Sequence, residues 1–386
     1  MSKTGLIVGS FPRLTETFLY RQAKYLGAEV LCNNFMEENT DLYDLSVLKI
    51  TKLGIKRKHI SYKVFSLYKS LMVRLTGNPV LSWHPAELKD LDSRLQKGDI
   101  KGLLVSYGGH GIGVMDKCKK YNIPLIVEFL GTDASRYMNY PNYVTKLKEL
   151  FNYASYIIVL NDVMTASFVK LGCDPNKIKK INIGVNIDEI PFYPIPQKES
   201  FTFIAVGRFT PKKAPLMTLK AFEVCAAVNP TTILNMVGGG PLEAEVNAYV
   251  ENSPYKDRIH LLGYKTQTEL RSLYKESHVF LQHSVKAPNG DCEGWPVSIA
   301  EACSYGKPVI STLHGGIIDQ VVHGETGYLV EENDYQKMGE YMAEISKDLE
   351  RCIQMGAASR KHMEEHGDIK KQVNKITNLF QTIFSK

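Results

Sequence analysis

Four charged side chains in the second half of the chain have the types and spacing to handle a phosphorylated, hydroxyl-rich ligand. Arg208 and Lys213 stand five positions apart in Gly207-Arg-Phe-Thr-Pro-Lys-Lys213, and Glu293 and Glu301 flank the run Gly294-Trp295-Pro296-Val297-Ser298-Ile-Ala. A guanidinium forks onto phosphate oxygens and an ammonium adds a compact point charge, so the basic pair suits a diphosphate. If a bond to that diphosphate breaks, negative charge grows where fixed cations lower a barrier most. The carboxylates would repel phosphate and instead suit hydroxyls, with which they form strong charge-assisted hydrogen bonds. Two glutamates at one fixed spacing are expected by chance about once in a chain of this size. The residues between them carry the meaning. Gly294 supplies a turn and Pro296 suits the first position of a helix. Glu293 is then expected just outside that helix and Glu301 on its second turn. The free N–H groups of Val297 and Ser298 would form an anion site at the helix N-terminus.

Two further motifs follow expected strands. Gly238-Gly239-Gly240-Pro241 permits close backbone approach to a ligand, and Leu262-Gly263-Tyr264 offers backbone groups and a ring to a nucleobase.

The elements that must position these groups read as short apolar runs alternating with longer amphipathic stretches, the pattern of parallel strands joined by helical crossovers. Strands are expected at Gly5 to Val8, Gly102 to Val105, Pro124 to Phe129, Tyr156 to Leu160, Phe201 to Val206, Thr232 to Val237, Ile259 to Leu262, Val279 to Gln282 and Pro308 to Ser311. Pro191, Pro194 and Pro196 crowd the stretch between the two series, which can sustain neither a helix nor a central strand. The expected division is 1–184, a linker at 185–200, 201–365, and a C-terminal helix at 366–386 returning to the first domain. Each half opens on a strand ending in Gly and a polar residue, Gly9-Ser10 and Gly207-Arg208. This favours two similar doubly wound domains with ligands at the carboxyl ends of the strands.

The 386 residues exceed the usual limit of one hydrophobic core, and 44% hydrophobic and 23% charged residues fit a soluble globular protein. A net charge of +6 suits anionic ligands but does not argue for nucleic acid. Seven cysteines show neither a C-x-x-C pair nor a zinc-ligand spacing, so no metal is expected and a reducing cytoplasm is the default. No run approaches the length of a membrane span.

The order of Arg208 and Lys213, the glycine run, Leu-Gly-Tyr264, the two glutamates, Lys307-Pro-Val-Ile-Ser-Thr with Gly315-Gly316, and Gly324-Glu-Thr-Gly-Tyr-Leu-Val resembles the C-terminal domain of glycosyltransferase family 4 over roughly residues 200 to 335. Gly290-Asp-Cys-Glu-Gly-Trp-Pro296 and Phe11-Pro-Arg-Leu-Thr-Glu-Thr-Phe18 are similar to its exopolysaccharide branch, the colanic acid and amylovoran type enzymes. The resemblance implies an α/β GT-B fold, two Rossmann-like doubly wound domains facing a central cleft, with the donor held by the C-terminal domain and the acceptor by the N-terminal one. It implies a retaining, metal-independent glycosyltransferase that needs no cofactor. Such an enzyme moves a sugar from a nucleotide-sugar, UDP-sugar favoured over GDP-sugar, to a glycan or lipid-linked glycan in bacterial surface polysaccharide biosynthesis. Arg208 and Lys213 would bind the diphosphate, Glu293 the sugar hydroxyls and Glu301 the ribose. Gly207, Gly239, Gly240, Tyr264, Trp295, Pro296, Val297 and Ser298 complete the donor site. The leaving phosphate itself would take the acceptor's proton, so no protein base is named.

On the N-terminal side the expected cleft residues are Gly9, Ser10, Thr15, His110, Leu130 and Asp133. Where relatives of this branch carry histidines, this chain has Ser106-Tyr107-Gly108 and Phe129-Leu130-Gly131-Thr132-Asp133; His110 could stand in for a lost imidazole or be a solvated loop residue. From Thr51 to Gly77 there are seven Lys or Arg and no Asp or Glu, with Val64, Tyr68, Leu71, Met72 and Leu75 at helical spacing. That reads either as a peripheral contact with an anionic membrane at the inner face of the cytoplasmic membrane or as a helix packed on its own domain with a solvated basic face. Competing functions are a metal-dependent transferase using Asp90-Leu-Asp92 or Asp291-Cys-Glu293, a nicotinamide-dependent dehydrogenase, a transferase acting on a small molecule or protein, and a donor-binding pseudoenzyme. The dehydrogenase lacks its Gly-x-Gly-x-x-Gly after the first strand.

Overall fold

The computed structural model describes residues 4–12, 16–54, 59–76 and 83–385. It divides into two units, one running to Ile183 and taking in the residues from Ile369 onward, the other spanning Gly184–Asp368. Each is a parallel sheet flanked by helices, as continuous apolar strands with helical crossovers require.

The first unit holds β1 (Thr4–Phe11), α1 (Thr17–Leu26), β2 (Glu29–Phe35), β3 (Ile50–Lys52), α2 (Ile60–Thr76), α3 (Pro85–Gln96), β4 (Gly102–Ser106), α4 (Gly108–Tyr121), β5 (Leu125–Glu128), α5 (Pro141–Tyr153), β6 (Tyr156–Val159), α6 (Asp162–Lys170) and β7 (Ile178–Lys180), in the strand order 3-2-1-4-5-6-7. The second holds β8 (Phe201–Val206), α7 (Pro215–Val228), β9 (Thr232–Val237), α8 (Glu243–Glu251), β10 (Ile259–Leu261), α9 (Gln267–Glu276), β11 (Val279–Gln282), α10 (Val297–Ser304), β12 (Val309–Thr312), β13 (Gly327–Val330), α11 (Tyr335–Ile345) and α12 (Leu349–His366), ordered 10-9-8-11-12-13. In each sheet the order reverses direction beside its first strand, between β1 and β4 and between β8 and β11. Doubly wound sheets bind ligands at that switch point, outside the carboxyl ends of the strands.

All nine expected strands are present, three with the expected ends and the others with ends shifted by up to three residues, and β2, β3, β7 and β13 join them. β3 and β7 are three residues long, too short to show a period, and β2 carries Asn33 and Asn34 before its last residue, Phe35. The proline-rich stretch 185–200 is packed onto the second unit and is not a free linker. Ile195 enters that unit's core, the Tyr193 ring stacks on Tyr305 at 5.5 Å, and the buried Lys307 amine donates to the carbonyls of Tyr193 and Pro194 at 3.3 and 3.4 Å. The last helix, α13 (Ile369–Phe384), buries Ile369, Val373, Ile376 and Phe380 along one face. It packs within the first unit, where the Phe380 ring covers Gly102 of β4.

Candidate functional site

In the second unit, Gly207 follows β8 directly and the chain turns through a short 3-10 segment, Pro211–Lys213, before α7. Gly238 reaches over this turn with φ of +129°, and a Cβ there would meet the Gly207 carbonyl oxygen at 2.0 Å. Phe209 N–H donates to the Gly239 carbonyl at 2.8 Å. The glycine run therefore exists first to let its backbone close onto the loop that carries Arg208 and Lys213.

Lys213 reaches the end of β11 and the Glu293 loop. Its Nζ donates to Gln282 Oε1 at 3.0 Å and lies 2.9 Å from Glu293 Oε1 as an ion pair, the two side chains being 18% and 8% exposed. Ser298 Oγ donates to the same Gln282 oxygen at 3.0 Å, joining the first turn of α10 to the lysine. Lys212 Nζ stands 3.3 Å from Asp291 and 3.9 Å from Glu293. Burial works to raise the Glu293 carboxyl, but the Lys213 and Lys212 charges outweigh it and hold the group below the ordinary range. Burial pulls the Lys213 amine down even though Glu293 acts in the opposite sense. The pair is a desolvated charge couple at the switch point. An open hollow of about 300 Å³ beside it is lined by Gly207, Arg208, Lys213 and Gln282, among others.

Pro296 caps α10, so Val297 and Ser298 are its first residues and their N–H groups lack helical partners. Glu293 lies three residues before the cap, and Glu301 on the second turn, half-buried. Burial, then the Glu301 charge, push the Tyr274 and Tyr305 phenols up. Arg208 is exposed on the loop, and Tyr264 is 73% exposed with its ring edge over Gly239. Trp295 is buried at 3% and Pro296 is covered too, so these two shape the loop from beneath and do not face the hollow. Gly240 is likewise occupied by the Phe209 backbone, which a Cβ would meet at 2.9 Å. Sequence reasoning passed over Gln282, Lys212, His314 and Glu332. A polar residue ending a buried strand was the signal for Gln282, and a histidine before Gly315-Gly316 the signal for His314.

In the first unit, Gly9 and Ser10 lie near the carboxyl end of the strand β1, where Asn34 Nδ2 donates to Ser10 Oγ at 3.3 Å. Thr15 is outside the described residues. His110 is not a loop residue: it sits on the first turn of α4, its Nδ1 3.0 Å from the Ser106 carbonyl and its ring against Gly9. The helix starts on a glycine because the Phe129 and Tyr143 rings leave no room for a side chain at Gly108, where a Cβ would lie 2.2 Å from Phe129. Burial pushes the His110 imidazole down to about 4, so it is neutral. Tyr107, at φ of 74°, donates its phenol to Glu16 at 2.9 Å. Asp133 is buried and its two oxygens accept the N–H groups of Gly108, Leu130 and Gly131 at 2.9 to 3.0 Å. That carboxylate is consumed in holding two loops; Leu130 is the half-buried side chain they present.

The metal-pair alternatives find their carboxylates engaged. Asp92 on α3 pairs with Lys117 and Lys120, Asp90 accepts the Gly54 N–H at 2.7 Å, and Asp291 and Glu293 both face Lys212. The expected basic helix is α2. It packs through Tyr62, stacked 4.2 Å from His84, and through Phe65. Ile60, Val64, Leu67, Tyr68, Leu71 and Leu75 are 48 to 72% exposed. Helical geometry gathers these six within about 100° of arc, and Met72 falls outside it. Lys56, Arg57 and Gly77 lie outside the described residues.

Residues 186–362 match the family model described as glycosyl transferases group 1. Among curated relatives, the protein WcaL of Escherichia coli K12, named for colanic acid biosynthesis, is 29% identical over 261 residues, 66% of this chain and 63% of that protein. The amylovoran biosynthesis glycosyltransferase AmsK of Erwinia amylovora is 25% identical over 240 residues, 62% and 59% of the two chains. The matches thus span less than two thirds of these relatives' length. Among solved structures, Anabaena HepE in complex with UDP superposes with a TM-score of 0.78 at 15% identity, covering 99% of this chain and 100% of that one. Sucrose-phosphate synthase of Thermosynechococcus elongatus gives 0.76 at 16% identity over the whole of both chains. These likenesses and the two switch-point sheets establish a two-domain α/β GT-B fold. The matched stretch lies wholly within the Gly184–Asp368 unit, and it is this unit that is similar to the group 1 glycosyl transferases.

Proposed function

We propose that the protein is a retaining glycosyltransferase of surface polysaccharide biosynthesis that takes a nucleotide-sugar donor, a UDP-sugar before a GDP-sugar, without a metal ion. The observation that carries this reading is the convergence of Lys213, Glu293 and the start of α10 at the β8/β11 switch point. Arg208, Lys213 and the α10 N–H groups would neutralise the diphosphate, the charge work a divalent ion performs elsewhere. Glu293 would accept the sugar hydroxyls, and Glu301 those of the ribose. In a same-face transfer, a leaving phosphate oxygen would take the proton of the incoming hydroxyl as the new glycosidic bond forms. WcaL and AmsK support the polysaccharide assignment by their names, and a lipid-linked glycan at the inner face of the cytoplasmic membrane is the acceptor we favour. The exposed apolar stripe of α2, with Lys63 exposed beside it, would then rest on anionic lipid.

A thermal-shift screen of UDP-, GDP- and ADP-sugars in excess chelator tests the donor assignment, because a ligand that binds the native state stabilises it by mass action. At least one UDP-sugar should raise the melting temperature, and Arg208→Ala should weaken the effect. Stabilisation by none of them, or only when a divalent ion is restored, would refute the reading.

A further inference from the structure

Glu293 is held from behind as well as from the front. His314 follows β12 and Glu332 follows β13, adjacent strands whose pairing carries Thr312 to Val330. The His314 side chain is 4% exposed, and its Nδ1 lies 2.6 Å from Glu332 Oε1. Its other nitrogen, Nε2, accepts the backbone N–H of Glu293 at 3.0 Å. The second Glu332 oxygen accepts the Lys286 N–H at 2.9 Å. An amide N–H is only a donor, so Nε2 must be unprotonated and the ring proton sits on Nδ1, directed at Glu332. Gly315, at φ of +52°, closes on the following peptide of the same residue, where a Cβ would stand 2.2 Å from the Glu293 carbonyl oxygen.

We infer that Glu332 and His314 form a positioning relay that fixes the Glu293 backbone, and so sets where its carboxylate meets the donor sugar. The carboxylate of Glu332 selects the tautomer, the tautomer presents Nε2 as an acceptor, and the acceptor pins the amide of the residue that faces Lys213. Both would act through Glu293 and not on the donor itself. The inference rests on the reading of this site as a nucleotide-sugar site, and it adds a division within it: the diphosphate is held by Lys213 and α10, independently of the relay, while the sugar depends on it.

Two substitutions separate the relay from simple packing. In His314→Gln the amide oxygen reaches about as far as Nε2 and can accept the Glu293 N–H; in His314→Asn the side chain ends near Nδ1 and cannot. Amide hydrogen exchange at Glu293 reads the relay without any donor: it should quicken about tenfold or more in His314→Asn and stay slow in His314→Gln. With UDP and the UDP-sugar that stabilises the protein most, His314→Asn should lose kcat on the order of 100-fold, since a misplacement of about 1 Å has that effect. It should also lose the affinity margin of the UDP-sugar over UDP while binding UDP as the unmodified protein does. His314→Gln should restore both. Unchanged exchange in His314→Asn, equal damage by Gln and Asn, or a parallel loss of UDP affinity would overturn the relay. Altered exchange in a protein that binds no nucleotide would overturn the donor reading alone.

Discussion

Replacing Lys213 by methionine keeps the length of the side chain and removes its charge, leaving Glu293 in a site where its side chain is 8% exposed. At an effective dielectric of about 20, unit charges at this 2.9 Å separation attract by about 6 kcal/mol, and the 3.9 Å contact with Lys212 by about 4 kcal/mol. Lys212 therefore remains as a partial partner. The cost should fall at the low end of what breaking a buried pair from one side produces, about 3 kcal/mol. For a folding unit of this size that is a fall of about 6 to 12 °C in the melting temperature. Lys213→Met with Glu293→Gln removes both charges, and the double variant should recover most of the loss. The pH dependence has a definite sign. Because the Glu293 carboxyl is held below its ordinary value, its stabilisation is present above the unfolded value and lost as the pH falls through the folded one. Lys213→Met should flatten that acid limb. The assay is a set of melting curves for the four proteins of the cycle between pH 3 and 7, read by circular dichroism. A Lys213→Met protein within about 0.5 kcal/mol of the parent, or a strictly additive cycle, would refute the reasoning.

Two other outcomes follow from the same geometry. Gly238→Ala should destabilise the second unit, because its Cβ has no room beside the Gly207 carbonyl and the backbone there is left-handed; a melting curve matching the parent's would contradict the loop closure described for this site. Sedimentation with anionic liposomes should remove the protein from solution, and Leu67→Ser with Leu71→Ser should release it, as should neutralising Lys63 and Lys69. Equal sedimentation before and after these changes would end the membrane assignment.

The parallel sheets were legible because strands covered on both faces are continuous apolar runs, such as Phe201 to Val206 and Thr232 to Val237. The three-residue edge strands β3 and β7 were not, since three residues show no period, although the equally short β10 was. The start of α10 was legible from Gly294 and Pro296, local signals that act on the residues beside them. That the Trp295 side chain packs under its loop was not legible, because a sequence does not say which side of a loop faces the core. His110 was misread as a loop residue because a run of glycines looks like a turn until Phe129 and Tyr143 are seen to leave no room for a side chain at Gly108.

By itself, then, the sequence determined what is local: two series of strands, the helix cap between the glutamates, and the residue types able to hold phosphates and hydroxyls. Tertiary structure alone decided what those residues meet. Lys213 and Glu293 are eighty residues apart in sequence, and only the adjacency of β8 and β11 makes them a desolvated pair. The pairing of β12 with β13 likewise brings Glu332 to His314 and, through it, to the Glu293 amide. Propensity and periodicity act over a turn or a strand, whereas charge pairing and burial depend on distances that chain closure across a whole sheet creates.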